Sequence, residues 1–156
     1  ATLLRRLGGI HMRDLASSDK IFIPAHVRTL YVDNKAYFLR TTLLENLKLA
    51  ALEAVKGEGS VQVEKRALAI CTRIGLSDKI MEMLSSSEVR DWEAVLSRGE
   101  CQLLNLVRAF LSNMEFLVLD RPLEHLNPEH SERVMALLKE FVGQRGVEQE
   151  LESYHL

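Results

Sequence analysis

Phe116-Leu117-Val118-Leu119-Asp120-Arg121 decides how this chain is read. Four apolar residues in succession, without polar alternation, predict a buried strand of a parallel sheet. Asp120 then carries a carboxylate to the C-terminal edge of that strand, either as a ligand to a cation or as a cap on the turn that follows. Arg121 and Pro122 come next. A cation beside the carboxylate cannot accept a proton, so any acid–base chemistry needing a base at 121 is absent.

Working outward, Ile21-Phe22-Ile23 reads as a short apolar strand, and Val27 to Val32 as a second, entered through the Pro24-Ala25-His26 turn. Thr42 and Glu45 are spaced as a capping box at the start of a helix. Lys56-Gly57-Glu58-Gly59 is a loop. Ser60 caps the next helix, whose Val63, Ala67, Ile70 and Ile74 recur at helical intervals and which Gly75 ends. A short helix over Ser77 to Leu84 precedes the polar Ser85-Ser86-Ser87 link. Glu100 to Leu111 predicts a helix with Leu103, Leu104, Val107 and Leu111 on one face. Glu129 to Phe141 predicts another, and Gly143 to Leu156 a loop. No internal repeat is visible. Apolar strands mixed with helices imply an α/β fold with a parallel sheet. The few strands visible imply that a neighbouring segment or partner covers the sheet edges.

The chain has 156 residues, 47% apolar and 27% charged, which fits a globular domain with a core. A net charge of −2 gives no electrostatic footprint for nucleic acid. Cys71 and Cys101 lack CxxC spacing and nearby histidine pairs, which suits a reducing compartment and argues against a zinc site. No apolar run approaches the roughly 18–20 residues that cross a bilayer, and no signal-peptide pattern is present. Thr2 to Leu7, closed by Gly8-Gly9, reads as the inside of a helix, so a piece of a longer polypeptide is expected.

Leu96-Ser97-Arg98-Gly99-Glu100 resembles the LSGGQ signature of ABC ATPases, and Cys101 to Leu111, with Val107 to Phe110, is similar to the helix behind it. Asp120 resembles the Walker B aspartate and Leu123 to Pro128 the D-loop. Tyr31-Val32-Asp33-Asn34 looks like the approach to the Q-loop, and Ala36 to Leu47 like the segment after it. Ala1-Thr2-Leu3-Leu4 looks like the end of a Walker A loop, without the glycines and lysine that precede it in the family. In this order the motifs resemble the nucleotide-binding domain of ABC transporters over most of the chain.

That resemblance implies ATP and Mg²⁺ as cofactors, with Asp120 beside the Mg²⁺ and Thr2, Asn34, Ser97, Gly99 and Glu100 as nucleotide contacts. In the family the signature of one domain closes over the γ-phosphate held by another. A helix N-terminus suits that task, because its backbone N–H groups and dipole attract anions. The resemblance also implies two partners, a transmembrane domain and a second nucleotide-binding domain, in a larger membrane complex, and a place on the cytosolic side of a membrane. The departures fall on catalytic positions. Arg121 stands where the family has a general base, a role worth about 10²–10⁴-fold in rate. Asn34 replaces the Q-loop glutamine, Asn127 the D-loop aspartate, Arg98 a signature glycine, and Ala1 the Mg²⁺-binding hydroxyl. The switch histidine would lie beyond Leu156, and His155 does not match its context.

Plainer readings stand beside these. Ser97 and Glu100 also read as an ordinary helix cap, Arg121 as an ion pair with Glu124 or Glu115, and Trp92 as a core anchor rather than an exposed docking aromatic. The expected organisation is a partial P-loop NTPase core over 1–42, a helical subdomain over 43–95, the signature-to-D-loop part of the core over 96–142, and a tail over 143–156. Three functions follow: the inactive half of a composite nucleotide site in a transporter, a pseudo-ATPase scaffold or interaction module with no nucleotide role, or a fragment of a soluble, non-transport ABC ATPase.

Overall fold

The computed structural model describes residues 4, 7, 24, 26–51 and 60–148. The expected strand at 21–23, the loop at 56–59, Thr2 and the last eight residues lie outside them. Within them, β1 (Thr29–Val32) and β2 (Phe116–Leu119) form a parallel pair, with Thr29 opposite Phe116 and Val32 opposite Leu119. The helices are α1 (Leu43–Lys48), α2 (Ser60–Ile74), α3 (Asp78–Ser85), α4 (Trp92–Val95), α5 (Arg98–Leu111) and α6 (Pro128–Gln144).

Local chemistry sets most of the helix ends. Thr42 and Glu45 close the predicted capping box on α1, with Thr42 Oγ1 accepting the Glu45 N–H at 3.2 Å and Glu45 Oε2 accepting the Thr42 N–H at 3.1 Å. α2 ends as the glycine predicts. Gly75 adopts φ +86°, and the N–H groups of Leu76 and Gly75 donate to the carbonyls of Cys71 and Thr72, both at 3.1 Å. That pair of bonds satisfies carbonyls the last turn leaves open. Asn127 caps α6 through the His130 N–H at 2.8 Å, with Pro128 in the first turn, where its missing N–H costs nothing.

α5 is the axis of the fold. Leu103, Leu104, Val107 and Leu111 are buried as the periodicity predicts, and so are Leu106, Ala109 and Phe110, so the helix is enclosed on nearly every side. α1, α2 and β1 all pack on it. The expected subdomain of helices from 43 to 95 therefore shares one continuous apolar core with α5 and α6.

Three expectations change. β2 is not buried throughout: Val118 is, but Phe116 remains 44% exposed, because among the described residues only β1 pairs with the strand. The tail is not wholly loop. α6 runs on to Gln144, and Val147 is buried, its carbonyl accepting Arg66 Nε at 3.0 Å while Arg66 Nη2 reaches the Phe110 carbonyl at 2.8 Å. Arg73 adds a bridge from α2, pairing with Glu140 at 2.5 Å and Glu148 at 2.7 Å. Finally, Ser60 is the first residue of α2 rather than a cap before it.

Candidate functional site at the C-terminal edge of the sheet

Parallel pairing brings the C-terminal ends of β1 and β2 to the same edge. The ladder continues one bond further, from the Asp120 N–H to the Val32 carbonyl at 3.0 Å. Because side chains alternate along a strand, Tyr31, opposite Val118, shares a face with Asp120. The Tyr31 hydroxyl donates to Asp120 Oδ2 at 2.9 Å, and the other carboxylate oxygen lies 3.5 Å from Arg121 Nε. Arg121 Nη1 also reaches Glu124 Oε1 at 3.0 Å, and Glu124 Oε2 accepts Asn34 Nδ2 at 3.2 Å. Of the two predicted partners for Arg121, Glu124 is the one it takes. Glu115 sits at the opposite end of β2, bound by Arg28 at 2.7 Å. Burial works to raise the Glu115 pKa, but the Arg28 bonds outweigh it and hold the carboxyl below its ordinary value.

The segment from Arg121 to Leu126 is pinned to α5 by one amide. Gln102 Nε2 donates to the Arg121 carbonyl at 2.9 Å, and Gln102 Oε1 accepts the His125 N–H at 3.1 Å. Gly99 lies under the same segment: a Cβ there would sit 2.7 Å from the His125 carbonyl oxygen. Gly99→Ala is therefore expected to lower stability by about 1–3 kcal/mol through overpacking, although alanine is the better helix former. A thermal melt that rose instead would show that the 121–126 segment moves aside freely.

Ser97 and Glu100 make the second capping box, with Ser97 Oγ accepting the Glu100 N–H at 3.2 Å and Glu100 Oε2 accepting the Ser97 N–H at 2.7 Å. The plain cap is thus present. A hydroxyl can accept and donate at once, and Ser97 and Arg98 are exposed at the start of α5, so an anion could still meet them there. Asn34, Arg98, Cys101 and His125 line a cleft of about 340 Å³ between the β1 end and the α5 start. Burial, with help from Glu93 and Glu100, pushes the Cys101 thiol up.

A divalent ion does not fit this donor set. Among the described residues no group of three or more histidine, cysteine, aspartate or glutamate side chains could hold a metal. Both oxygens of Asp120 are engaged, one by a hydroxyl and the other by a guanidinium whose positive charge would repel a divalent ion.

On the other side of the β1 end lies a groove of about 420 Å³ whose walls include Tyr37, Leu39, Leu49 and Arg108. Tyr37 and Leu39 are 64% and 57% exposed. Lys35 Nζ stands 5.1 Å from the centre of the Tyr37 ring, and the Arg108 guanidinium 4.4 Å from that of Phe38. Burial lowers the Arg108 pKa.

The structure thus brings Asn34, Asp120 and Arg121 together and places Ser97, Gly99 and Glu100 at the neighbouring helix start. Gln102 and Asn46 are residues that the sequence did not single out, and Tyr31 was not foreseen as the partner of Asp120. A polar residue inside an apolar helix was the available sign for Gln102.

Comparison with known proteins bears on the family and the fold. The family model described as ABC transporter matches residues 5–124. The cell division ATP-binding protein FtsE of Streptococcus pneumoniae is 26% identical over 133 residues, covering 85% of this chain and 53% of that protein. The lipoprotein-releasing system ATP-binding protein LolD of Saccharophagus degradans is 25% identical, covering 92% of this chain and 64% of its own length. The chain spans about half the length of the curated relatives it matches, 53% for FtsE. The dimeric structure of a bacterial ABC transporter cassette superposes with a TM-score of 0.58 at 24% identity, over 75% of this chain and 48% of that one, which speaks to the fold. With residues 5–124 under one family model and the same partial α/β fold, this chain belongs to the ABC transporter family, as part of its nucleotide-binding domain.

Proposed function

We propose that the chain acts as a catalytically impaired nucleotide-binding domain in a membrane transporter, passing the nucleotide state of a composite site to a membrane-embedded partner. The exposed apolar groove beside the end of β1 carries this reading. Tyr37, Leu39 and Leu49 offer a concave wall to a helix from a transmembrane subunit, and Asn34 joins that wall to the Arg121–Glu124 pair at the sheet edge. No helix among the described residues is long and apolar enough to cross a membrane, so the membrane-spanning part belongs to a partner or to another segment. Ser97 and Arg98 face the nucleotide of a second domain. Arg121, in the position of the general base, leaves this half without hydrolysis of its own. The cytosolic side of the membrane, ATP as ligand and pairing with a second domain all follow from the same reading.

Two observations favour a second reading, a scaffold with no nucleotide role. Gly99 is covered by the His125 carbonyl of its own chain, and Ser97 already serves α5 as its cap. Equilibrium binding of a fluorescent ATP analogue to the chain mixed with an intact ABC nucleotide-binding domain separates the two. Saturable binding that weakens in Ser97→Ala supports the composite site. No difference between the chain and Ser97→Ala up to millimolar nucleotide supports the scaffold.

A further inference from the structure

The mismatch between Asp120 and a divalent ion has a positive side. We propose that the guanidinium of Arg121 is the resident cation of Asp120 and takes the place that a divalent metal would hold at the end of β2. This goes beyond the transporter reading and needs neither nucleotide nor membrane partner to be true.

Three observations carry it. First, the Asp120 side chain is only 11% exposed, so its charge has lost most of its hydration and requires compensation inside the protein. Arg121 Nε at 3.5 Å and the Tyr31 hydroxyl at 2.9 Å supply it, one on each oxygen. Second, Arg121 holds a left-handed backbone, φ +48°, which costs a non-glycine residue about 1–2 kcal/mol and persists only where the surroundings enforce it. The surroundings here are two bonds to its carbonyl, from Gln102 Nε2 at 2.9 Å and from the Glu124 N–H at 3.3 Å. Third, the charge matches. A glutamate at 121 would gather three carboxylates with Asp120 and Glu124, whereas arginine leaves a net single negative charge. That two-unit difference equals one divalent ion. A metal bound at Asp120 with Arg121 in place would sit within a few ångströms of a fixed positive charge, where repulsion is strong.

Mn²⁺ binding to the 156-residue chain, followed by electron paramagnetic resonance, tests this, with Arg121→Gly, Asp120→Asn and the double variant. Glycine suits φ +48°, so the single change removes the cation without adding strain. Arg121→Asn, which also tolerates that conformation, stands in should the glycine variant melt early. The expected result is no Asp120-dependent Mn²⁺ binding in the parent chain. Arg121→Gly should bind at least tenfold more tightly, and the double variant should lose that gain. A Mn²⁺ site in the parent that Asp120→Asn abolishes would overturn the proposal. So would an Arg121→Gly variant, correctly folded, whose gain falls short of tenfold.

Discussion

Trp92→Ala is expected to lower the unfolding free energy by about 3–5 kcal/mol, the cost of emptying a large aromatic site in a packed core. Trp92 is 1% exposed, and its indole N–H donates to the Thr41 carbonyl at 2.8 Å. The ring thereby joins α4 to the turn that starts α1, between segments far apart in sequence. A domain of this size holds about 5–15 kcal/mol in all, so the variant should melt roughly 10 °C or more below the parent. Trp92→Phe keeps most of the ring volume but leaves the Thr41 carbonyl without its donor, so it should lose about 1–3 kcal/mol. Urea unfolding followed by circular dichroism measures both. A loss under 1 kcal/mol for Trp92→Ala would return Trp92 to the role of a docking aromatic. As the chain's single tryptophan, it also reports on itself, with blue-shifted emission expected in the folded parent.

What the sequence made legible was chemistry that acts over one turn or one strand. The capping box on α1, the plain cap at Ser97, the glycine terminator of α2 and the β2 strand are local, and each stands where the residues predict it. The four-residue helix at Trp92 was missed because one turn is too short to show periodicity. The polar network at the sheet edge was legible only in part. Tyr31 meets Asp120 because of the register between strands 87 positions apart in the pairing, as Thr29 faces Phe116, and no spacing within either strand announces it. Arg121 had two candidate carboxylates on paper. Strand direction separated them by placing Glu115 at the far end of β2. The roles assigned to Ser97, Gly99 and Glu100 rested on family resemblance, and the geometry adds a structural duty to each without removing the proposed one.

The second large effect concerns the groove. Asn46→Ala is expected to cost about 3 kcal/mol or more, since each buried polar group left unpaired costs about 1–3 kcal/mol. Asn46 is fully buried and both ends of its amide are in use. Oδ1 accepts the Leu39 N–H at 2.8 Å and Arg108 Nη2 at 3.0 Å, while Nδ2 donates to the Leu39 carbonyl at 2.9 Å, the Thr42 carbonyl at 3.0 Å and Thr41 Oγ1 at 3.1 Å. Arg108 completes the arrangement from α5, with Nε on the Asn46 carbonyl at 2.9 Å and Nη1 on the Tyr37 carbonyl at 2.5 Å. The wall formed by Tyr37 to Leu39 has no regular secondary structure, so side chains hold its backbone in place: Asn46, Arg108 and Glu93, whose Oε1 accepts the Phe38 N–H at 3.4 Å. Arg108→Met keeps the bulk of the side chain and leaves the Leu39 bonds to Asn46 intact, so it should cost less. The two changes share partners and should couple in a double-mutant cycle. Hydrogen exchange gives the sharper readout: the Leu39 amide should lose protection in Asn46→Ala well before the α5 amides do. Full protection of Leu39 in that variant would mean that the groove wall is held by something other than Asn46. The groove would then be a weaker candidate for a rigid docking surface, because a wall that orders only on contact with a partner charges its ordering entropy against binding.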